Sequence, residues 1–201
     1  MIDNYEIDFI GLEDIQYQKN VEISYNHFLI FYNTTKILKN LYHLQSLTIP
    51  YIMNRKGSGS MSKILLINGS PHETGCTYTA LSEVAASLHA CGVETELLWL
   101  GTQPVAGCIA CGKCYEGGKC VFDDQVNDLL ARSEEFDAMV VGSPVYYAGP
   151  AGQLCAFLDR LFYASAGRWS GKVGAAVVSC RRGGATAAFD RLNKYFSISK
   201  M

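Results

Sequence analysis

Four cysteines lie close together in the middle of the chain, with the spacing C-x2-C-x2-C-x5-C. They are Cys108, Cys111, Cys114 and Cys120. Glycines interleave with them and allow this segment to curl into a compact loop. A cubane iron–sulfur cluster needs four thiolates that converge on one centre. The spacing therefore predicts redox chemistry, with these four cysteines as ligands of a [4Fe-4S] cluster.

Other roles for these thiols stay open. Structural zinc sites usually combine two C-x2-C pairs or cysteine with histidine, and here no second pair follows and no histidine is near the loop. Disulfide bonds are not expected, because we see no secretory signal pattern and expect a cytoplasmic protein. Free thiols packed as small hydrophobic groups are the remaining alternative.

Composition limits the classes of protein to consider. The 201 residues are 49% hydrophobic and 18% charged, with a formal net charge of −2, as in one globular domain with a sizeable core. No basic stripe is present that would favour nucleic acid or an anionic membrane surface. No apolar run reaches the roughly 18 residues of a membrane span. We therefore expect no nucleic-acid and no membrane partner.

The composition changes sharply near residue 60. Residues 1–60 contain no alanine and no cysteine, yet they hold six of the twelve tyrosines. They end in the linker-like run RKGSGS, and MSKILLINGSP then begins with Met61 and enters a strand at once. The composition favours Met61 as the true start; the alternative is an N-terminal extension, poorly ordered or partly helical. The folded domain is expected to span residues 61–201.

Strands and helices alternate through this domain. Apolar runs predict strands, and apolar residues at helical spacing predict helices. The strands are expected at 63–69, 93–100, 136–146 and 172–180, and the helices at 77–92, about 125–134, 152–165 and 186–196. This alternation is typical of a doubly wound α/β sheet, which binds its ligand outside the carboxyl ends of the strands. The loops 69–77, 143–149 and 179–184 should therefore converge.

The first of these loops has the features of a phosphate site. Ser70 and Thr77 supply hydroxyls, Gly75 allows a close approach of the backbone, and a helix N-terminus supplies amides. The loop has neither the lysine of a P-loop nor a G-x-G-x-x-G pattern. The alternative is a plain turn in which Thr74 or Thr77 caps the helix.

The other two loops offer aromatic and cationic groups. Tyr146 and Tyr147 follow the rigid Pro144 and could form a wall for a flat ring, although buried tyrosines with satisfied hydroxyls are the commoner case. Arg181 and Arg182 lie on a glycine-rich turn, where one could stabilise negative charge on a reduced flavin or a phosphate. The other arginine would then be solvated.

From Met61 onward the chain resembles the flavodoxin-like superfamily, in the branch of NADPH-dependent FMN reductases and iron–sulfur flavoproteins. The resemblance is carried by INGSPHETGCT, CIACGKCYEGGKCVFDD, VVGSPVYYAGPAGQLCAFLDR and VVSCRRGG. It implies a parallel sheet with strand order 2-1-3-4-5. Because the sequence stops at Met201, we expect truncation in the fifth strand, absence of the last helix and an open sheet edge.

The resemblance also implies roles for individual residues. Those expected to bind FMN are Ser70, His72, Gly75, Cys76 and Thr77 at the phosphate, Pro144, Val145, Tyr146 and Tyr147 at the isoalloxazine, and Arg181 and Gly183 in the third loop. The four cysteines ligate a [4Fe-4S] cluster in members that have one. Two positions depart from the pattern, because His72 replaces the usual arginine and Cys76 the usual asparagine.

The expected function is that of an FMN-dependent oxidoreductase, which passes electrons from NAD(P)H to a small acceptor such as a quinone or free flavin. With a cluster, a ferredoxin-type partner is expected as well. No catalytic acid or base is required, because the cofactor carries the chemistry. The family implies a homodimer or a larger homo-oligomer. The alternatives are a flavodoxin-type electron carrier, which would normally be more acidic, and a truncated, non-catalytic remnant with a metal-binding cysteine loop.

Overall fold

The computed structural model describes residues 27–31, as backbone, and residues 62–201. The strands are β1 His27–Phe31, β2 Lys63–Asn68, β3 Glu94–Trp99, β4 Ala138–Tyr146, β5 Gly149–Pro150 and β6 Val173–Ser179. The α-helices are α1 Cys76–Ala90, α2 Lys113–Gly117, α3 Gln125–Ala131, α4 Gly152–Ala164 and α5 Ala185–Ile198.

Five strands form a parallel sheet in the order β1-β6-β4-β2-β3. Within residues 62–201, the four long strands therefore have the order 2-1-3-4, which confirms the flavodoxin-like doubly wound sheet. The short β5 pairs antiparallel with the end of β4. The central strands are apolar along their length because the sheet is covered on both faces.

The fifth position of the sheet is occupied by β1, which comes from the N-terminal region. It runs parallel to β6, from the pair His27 and Gly174 to the pair Phe31 and Val178. The edge that we expected to be open is therefore covered by a strand from elsewhere in the chain. The domain boundary at residue 60 and the choice of Met61 as the start remain predictions. The expected disorder or helix in the rest of residues 1–60 lies outside the described residues.

Successive side chains of the strands point to opposite faces, and each face has its own core. On one face, Ile64 and Leu66 of β2 pack with α1. On the other, Leu65 and Ile67 pack with α3, α4 and α5. The helices that follow the first and third loops thus lie on opposite faces and bring their N-termini to the same edge of the sheet.

Two glycines allow helices to approach the ends of β2 and β4 closely. A Cβ atom on Gly142 would lie 2.8 Å from the side chains of Leu81 and Thr77 in α1. A Cβ atom on Gly69 would lie 2.7 Å from the Leu154 side chain in α4. Larger residues would push these helices away from the edge where the loops meet.

Most elements lie within a few residues of their expected bounds. The helix expected to run to about residue 134 is interrupted, because α3 ends at Ala131 and a separate 3-10 turn covers Ser133–Glu135. The cysteine loop contains one short helix, α2. Among the described residues, no helix has both the length and the apolar character needed to cross a bilayer.

Candidate functional site

The three loops at the carboxyl edge of the sheet converge, as the topology predicts. The amide of Gly69 donates to the carbonyl of Gly142 at 2.9 Å, which joins the first loop to β4. The hydroxyls of Thr77 and Ser179 lie 3.1 Å apart, which joins α1 to the third loop. Gly184 packs so closely on Ala148 that a Cβ atom there would lie 2.8 Å from the Ala148 Cα.

Polar groups at the ends of β2 and β3 shape the first loop. The Asn68 side chain accepts from the Ser70 amide at 3.0 Å and donates to the Glu73 carbonyl at 3.1 Å. The Ser70 hydroxyl accepts from the His72 amide at 3.1 Å. Trp99 donates its indole N–H to the Ser70 carbonyl at 2.9 Å. Asn68 and Trp99 were not among the site residues predicted from the sequence; the available signal for Asn68 was an asparagine at the end of a buried strand.

The N-terminus of α1 carries no side-chain cap, and its first turn contains no acidic residue. The Thr77 hydroxyl bonds to Ser179 instead, and no side chain caps this end, so the alternative in which Thr74 or Thr77 caps the helix is wrong. The first amides of a helix and the positive end of its dipole attract anions. Ser70 and Thr77 are buried below this point, whereas His72 and Cys76 are exposed beside it. This end of α1 can hold a phosphate group.

The second loop is a tight hairpin between β4 and β5. Val145 pairs with Pro150 and Tyr146 with Gly149, which leaves Tyr147 and Ala148 as the two turn residues. Both have positive φ, 50° and 59°, a conformation that asparagine and glycine adopt more easily.

The tyrosines of the hairpin are open to solvent. Tyr147 is fully exposed and Tyr146 about half exposed, so neither is a buried core tyrosine. The Ser143 hydroxyl fixes the base of the hairpin, because it accepts from the Ala151 amide at 2.9 Å and donates to the Pro144 carbonyl at 2.8 Å. The hairpin therefore presents an exposed aromatic ring from a fixed base.

The third loop places its arginines in solvent. Arg181, Arg182 and Gly183 are exposed, and the Cys180 thiol donates to the Arg182 carbonyl at 3.0 Å. A Cβ atom on Gly183 would meet nothing within 4 Å, so the space around it does not require glycine. Gly184 is the constrained residue, with φ of 98° and the contact to the hairpin. Gly183, not Gly184, was the glycine that the sequence predicted as an FMN-binding residue.

The four cysteines of the central loop line one cavity of about 330 Å³ beside α4. Cys114 and Cys120 are half-buried against the core, Cys108 and Cys111 are exposed, and no disulfide joins them. Within residues 62–201, no three histidine, cysteine or acidic side chains lie close enough to hold a single metal ion. The donor set and the shared cavity fit a group with four thiolate ligands, although the thiols are not drawn together around one point.

Arg160 of α4 enters this loop from the core side and is only 1% exposed. Its five N–H groups have five acceptors. They are the Cys120 sulfur at 3.1 Å from Nε, the Asp124 carboxylate oxygens at 2.7 and 2.8 Å, and the carbonyls of Ala106 and Phe122 at 3.3 Å. Burial on its own would lower the pKa of Arg160. The hydrogen bonds to Asp124 and Cys120 outweigh this effect and raise that pKa above its ordinary value.

Arg160 was missed because one arginine in an amphipathic helix usually lies in solvent. The available signal was its position on the apolar face of α4, three residues after the buried Phe157 and one before the buried Leu161. A charge on a buried face requires partners.

Helix α4 connects the two sites. Its first amides follow the hairpin at Ala151, and Arg160 lies at the cysteine cavity nine residues later. At 1.5 Å per residue, these points are about 13 Å apart along the helix axis.

Comparisons with known proteins agree with this geometry. The family model described as NADPH-dependent FMN reductase matches residues 62–201. An iron–sulfur flavoprotein of Methanocaldococcus jannaschii is 34% identical over 142 residues, which are 69% of this chain and 74% of the relative. One from Archaeoglobus fulgidus is 32% identical over 117 residues, which are 58% of this chain but only 53% of the relative.

A solved structure shows the same fold at low identity. RosB, with bound 8-demethyl-8-formylriboflavin-5′-phosphate, superposes with a TM-score of 0.56 at 15% identity, covering 68% of this chain and 59% of RosB. At this identity the likeness supports the fold alone. The family model, however, matches more than half of the chain. The chain therefore belongs to the NADPH-dependent FMN reductase family.

Proposed function

We propose that this protein is an FMN-dependent oxidoreductase that takes electrons from NAD(P)H and passes them to a small acceptor or a redox partner. The observation that carries the proposal is the convergence of the uncapped N-terminus of α1, the exposed hairpin and the third loop at one edge of the sheet. Family membership supports the choice of FMN as the ligand.

Each loop contributes a different part of the FMN site. The amides at the start of α1, with the hydroxyls of Ser70 and Thr77, bind the phosphate. The hairpin residues from Pro144 to Tyr147 lie against the isoalloxazine ring. Arg181 is exposed in the third loop, where it stabilises negative charge on the reduced flavin. Bound FMN supplies the redox chemistry by accepting a hydride and releasing electrons, so the protein needs only to bind and orient it.

The proposal extends to a [4Fe-4S] cluster held by Cys108, Cys111, Cys114 and Cys120. Two observations support it: the four thiols line one cavity, and both curated relatives described above are named iron–sulfur flavoproteins. Ligation requires the exposed part of the loop to close around the cluster. Ala110, Gly112 and Gly118 have positive φ, which gives the loop tight turns between its cysteines.

We further propose a cytoplasmic homodimer or larger homo-oligomer, with a ferredoxin as one electron partner. Ile109, Tyr115 and Tyr163 support a subunit contact at the cysteine cavity, because these apolar side chains line it and remain 59 to 76% exposed. Exposed apolar patches of this kind commonly mark interaction surfaces.

The experiment that tests the function is an anaerobic absorption spectrum of the full chain after reconstitution with FMN, iron and sulfide. Flavin bands with a broad shoulder that dithionite bleaches support both cofactors. Flavin bands without the shoulder support an FMN reductase and overturn the cluster. A colourless protein overturns the oxidoreductase. Steady-state oxidation of NAD(P)H with a quinone, without any partner protein, then separates a reductase from a flavodoxin-type carrier.

A further inference from the structure

The contact between Arg160 and Cys120 is more specific than a structural ion pair requires. An arginine that served only to neutralise Asp124 would satisfy that role with its two terminal nitrogens. Here the remaining edge of the guanidinium points its Nε–H at the sulfur of Cys120, at 3.1 Å. The planar fork of arginine can make both contacts at once, whereas the point charge of lysine cannot.

The backbone of Cys120 is fixed as well. The Asn127 side chain accepts from the Cys120 amide at 2.8 Å and donates to the Cys120 carbonyl at 3.0 Å. It also donates to the Phe122 carbonyl at 2.8 Å. Asn127 is buried in α3, whose N-cap is Asp124, so one rigid helix holds the backbone while Arg160 holds the sulfur.

Arg160 also ties the two ends of the cysteine loop together. One nitrogen donates to the Ala106 carbonyl before the first cysteine and to Asp124 after the last. Its guanidinium lies 4.9 Å above the Phe122 ring, which shields it from water. Cys120 is thus held in place, while Cys108 and Cys111 lie on the exposed side of the loop.

We propose that Arg160 is a positioning residue for the iron–sulfur cluster, which presents Cys120 as the fixed ligand and raises the reduction potential of the cluster. Hydrogen bonds to ligand sulfurs withdraw electron density and favour the reduced cluster. Because the Asp124 carboxylate offsets the charge of Arg160, the hydrogen bond to the sulfur, rather than the net charge, carries the expected effect. This inference rests on the cluster in the proposed function above.

Two variants test it in the full-length holoprotein. Arg160→Lys keeps the charge but removes the fork geometry and the N–H···S contact. The pair Arg160→Met with Asp124→Asn removes the ion pair without leaving a buried charge, and asparagine still caps α3. Arg168→Lys is the matched control, because Arg168 also reaches this loop, at the Gly118 carbonyl, 3.5 Å away, and does not touch a cysteine sulfur.

The measurement is an anaerobic redox titration of the cluster by electron paramagnetic resonance, with iron content and the FMN midpoint recorded on the same samples. We expect a lower cluster potential in both Arg160 variants, an unchanged FMN potential, and wild-type behaviour in Arg168→Lys. Loss of iron from both Arg160 variants, with FMN binding retained and Arg168→Lys fully loaded, also supports the positioning role.

Two outcomes overturn different claims. If the wild-type protein takes up no cluster, the cluster part of the proposed function falls and this inference falls with it. If the wild type is loaded and both Arg160 variants keep its iron content and potential, the inference alone is wrong. A potential that shifts equally in Arg168→Lys would likewise contradict a specific role for Arg160.

Discussion

Trp99 and Ser70 are joined by a hydrogen bond from a strand to a neighbouring loop, in which the indole N–H donates to the Ser70 carbonyl at 2.9 Å. Trp99 is the last residue of β3, and Ser70 lies in the loop that follows β2. The bond therefore fixes the backbone of the first loop, where we propose that the phosphate binds, from outside the loop itself.

Trp99→Phe is expected to weaken FMN binding by roughly 2- to 10-fold, because a neutral hydrogen bond is worth about 0.5–1.5 kcal/mol. Flavin fluorescence titration of the apoprotein measures the change. The control is Trp169→Phe, since the buried Trp169 indole N–H has no partner among the described residues. Equal affinity in the wild type and Trp99→Phe would show that the loop keeps its shape without this bond.

Thr77→Val is expected to reduce FMN affinity more strongly, by about 10- to 100-fold, since hydrogen bonds to charged groups are worth about 1.5–3 kcal/mol. Valine matches threonine in shape but loses the hydroxyl that contacts Ser179 and that we propose to bind the phosphate. Thr79→Val, on the exposed side of α1, is the control. Riboflavin, which has no phosphate, should bind the wild type and Thr77→Val alike; a matching loss of riboflavin affinity would contradict the phosphate assignment.

The acid stability of the fold is expected to depend in part on Glu96. Hydrogen bonds from Arg132, aided by Lys63, lower the pKa of Glu96 to about 2. A folded-state pKa below the unfolded one stabilises the protein above the unfolded pKa, near 4.3, and that stability is lost as the pH falls towards 2.

Glu96→Gln should therefore destabilise the protein at pH 7 by about 1 kcal/mol or less, because the pair is partly exposed. The difference from the wild type should close as the pH falls from about 5 to 2. Urea unfolding at several pH values measures it, with Glu94→Gln on the same strand as the control. A difference that stays constant over this range would contradict the assigned role of Glu96.

Removal of residues 1–60 is expected to lower the stability of the domain, because β1 pairs with β6 along five residues of the sheet edge. An exposed apolar strand edge also promotes aggregation. Thermal unfolding and light scattering of residues 61–201 against the full chain provide the measurement.

A double change, Leu29→Pro with Ile30→Pro, tests the same strand in the full chain, since proline removes donors from the ladder. Equal melting temperatures for the full chain, the truncated chain and this variant would mean that β1 adds nothing to the stability of the sheet.

The parts of the fold that follow from local patterns could be predicted from the sequence. β2, β4 and β6 are apolar runs because both faces of the sheet are covered, and their alternation with helices determines the topology. β1 could not be predicted in the same way, because residues 27–31 form a short apolar patch whose partner lies at the other end of the chain. The pairing of an edge strand depends on which segment is available to fill the edge.

In the candidate site, the loops could be predicted from the sequence, but many of the side chains that hold the loops in place by hydrogen bonds could not. Ser70, Thr77 and the hairpin residues lie where the carboxyl ends of strands must place them. Trp99, Asn127 and Arg160 act on loops distant from them in sequence, through contacts that exist only after the helices pack on the sheet. Of these three, Arg160 alone had a local signal, its place on the apolar face of α4, whereas Trp99 and Asn127 look like ordinary residues of a strand and a helix.

The course of α4 limits how far the hairpin and the cysteine cavity can move relative to each other. Its first turn follows the hairpin at Ala151 and its third turn lies at the cysteine cavity, so the separation of these two places is set by the length of a helix rather than by a loop. Loops fluctuate on nanosecond to microsecond timescales, whereas a packed helix keeps its length. Movements of the hairpin or of the exposed side of the cysteine loop would therefore leave the distance between Ala151 and Arg160 unchanged.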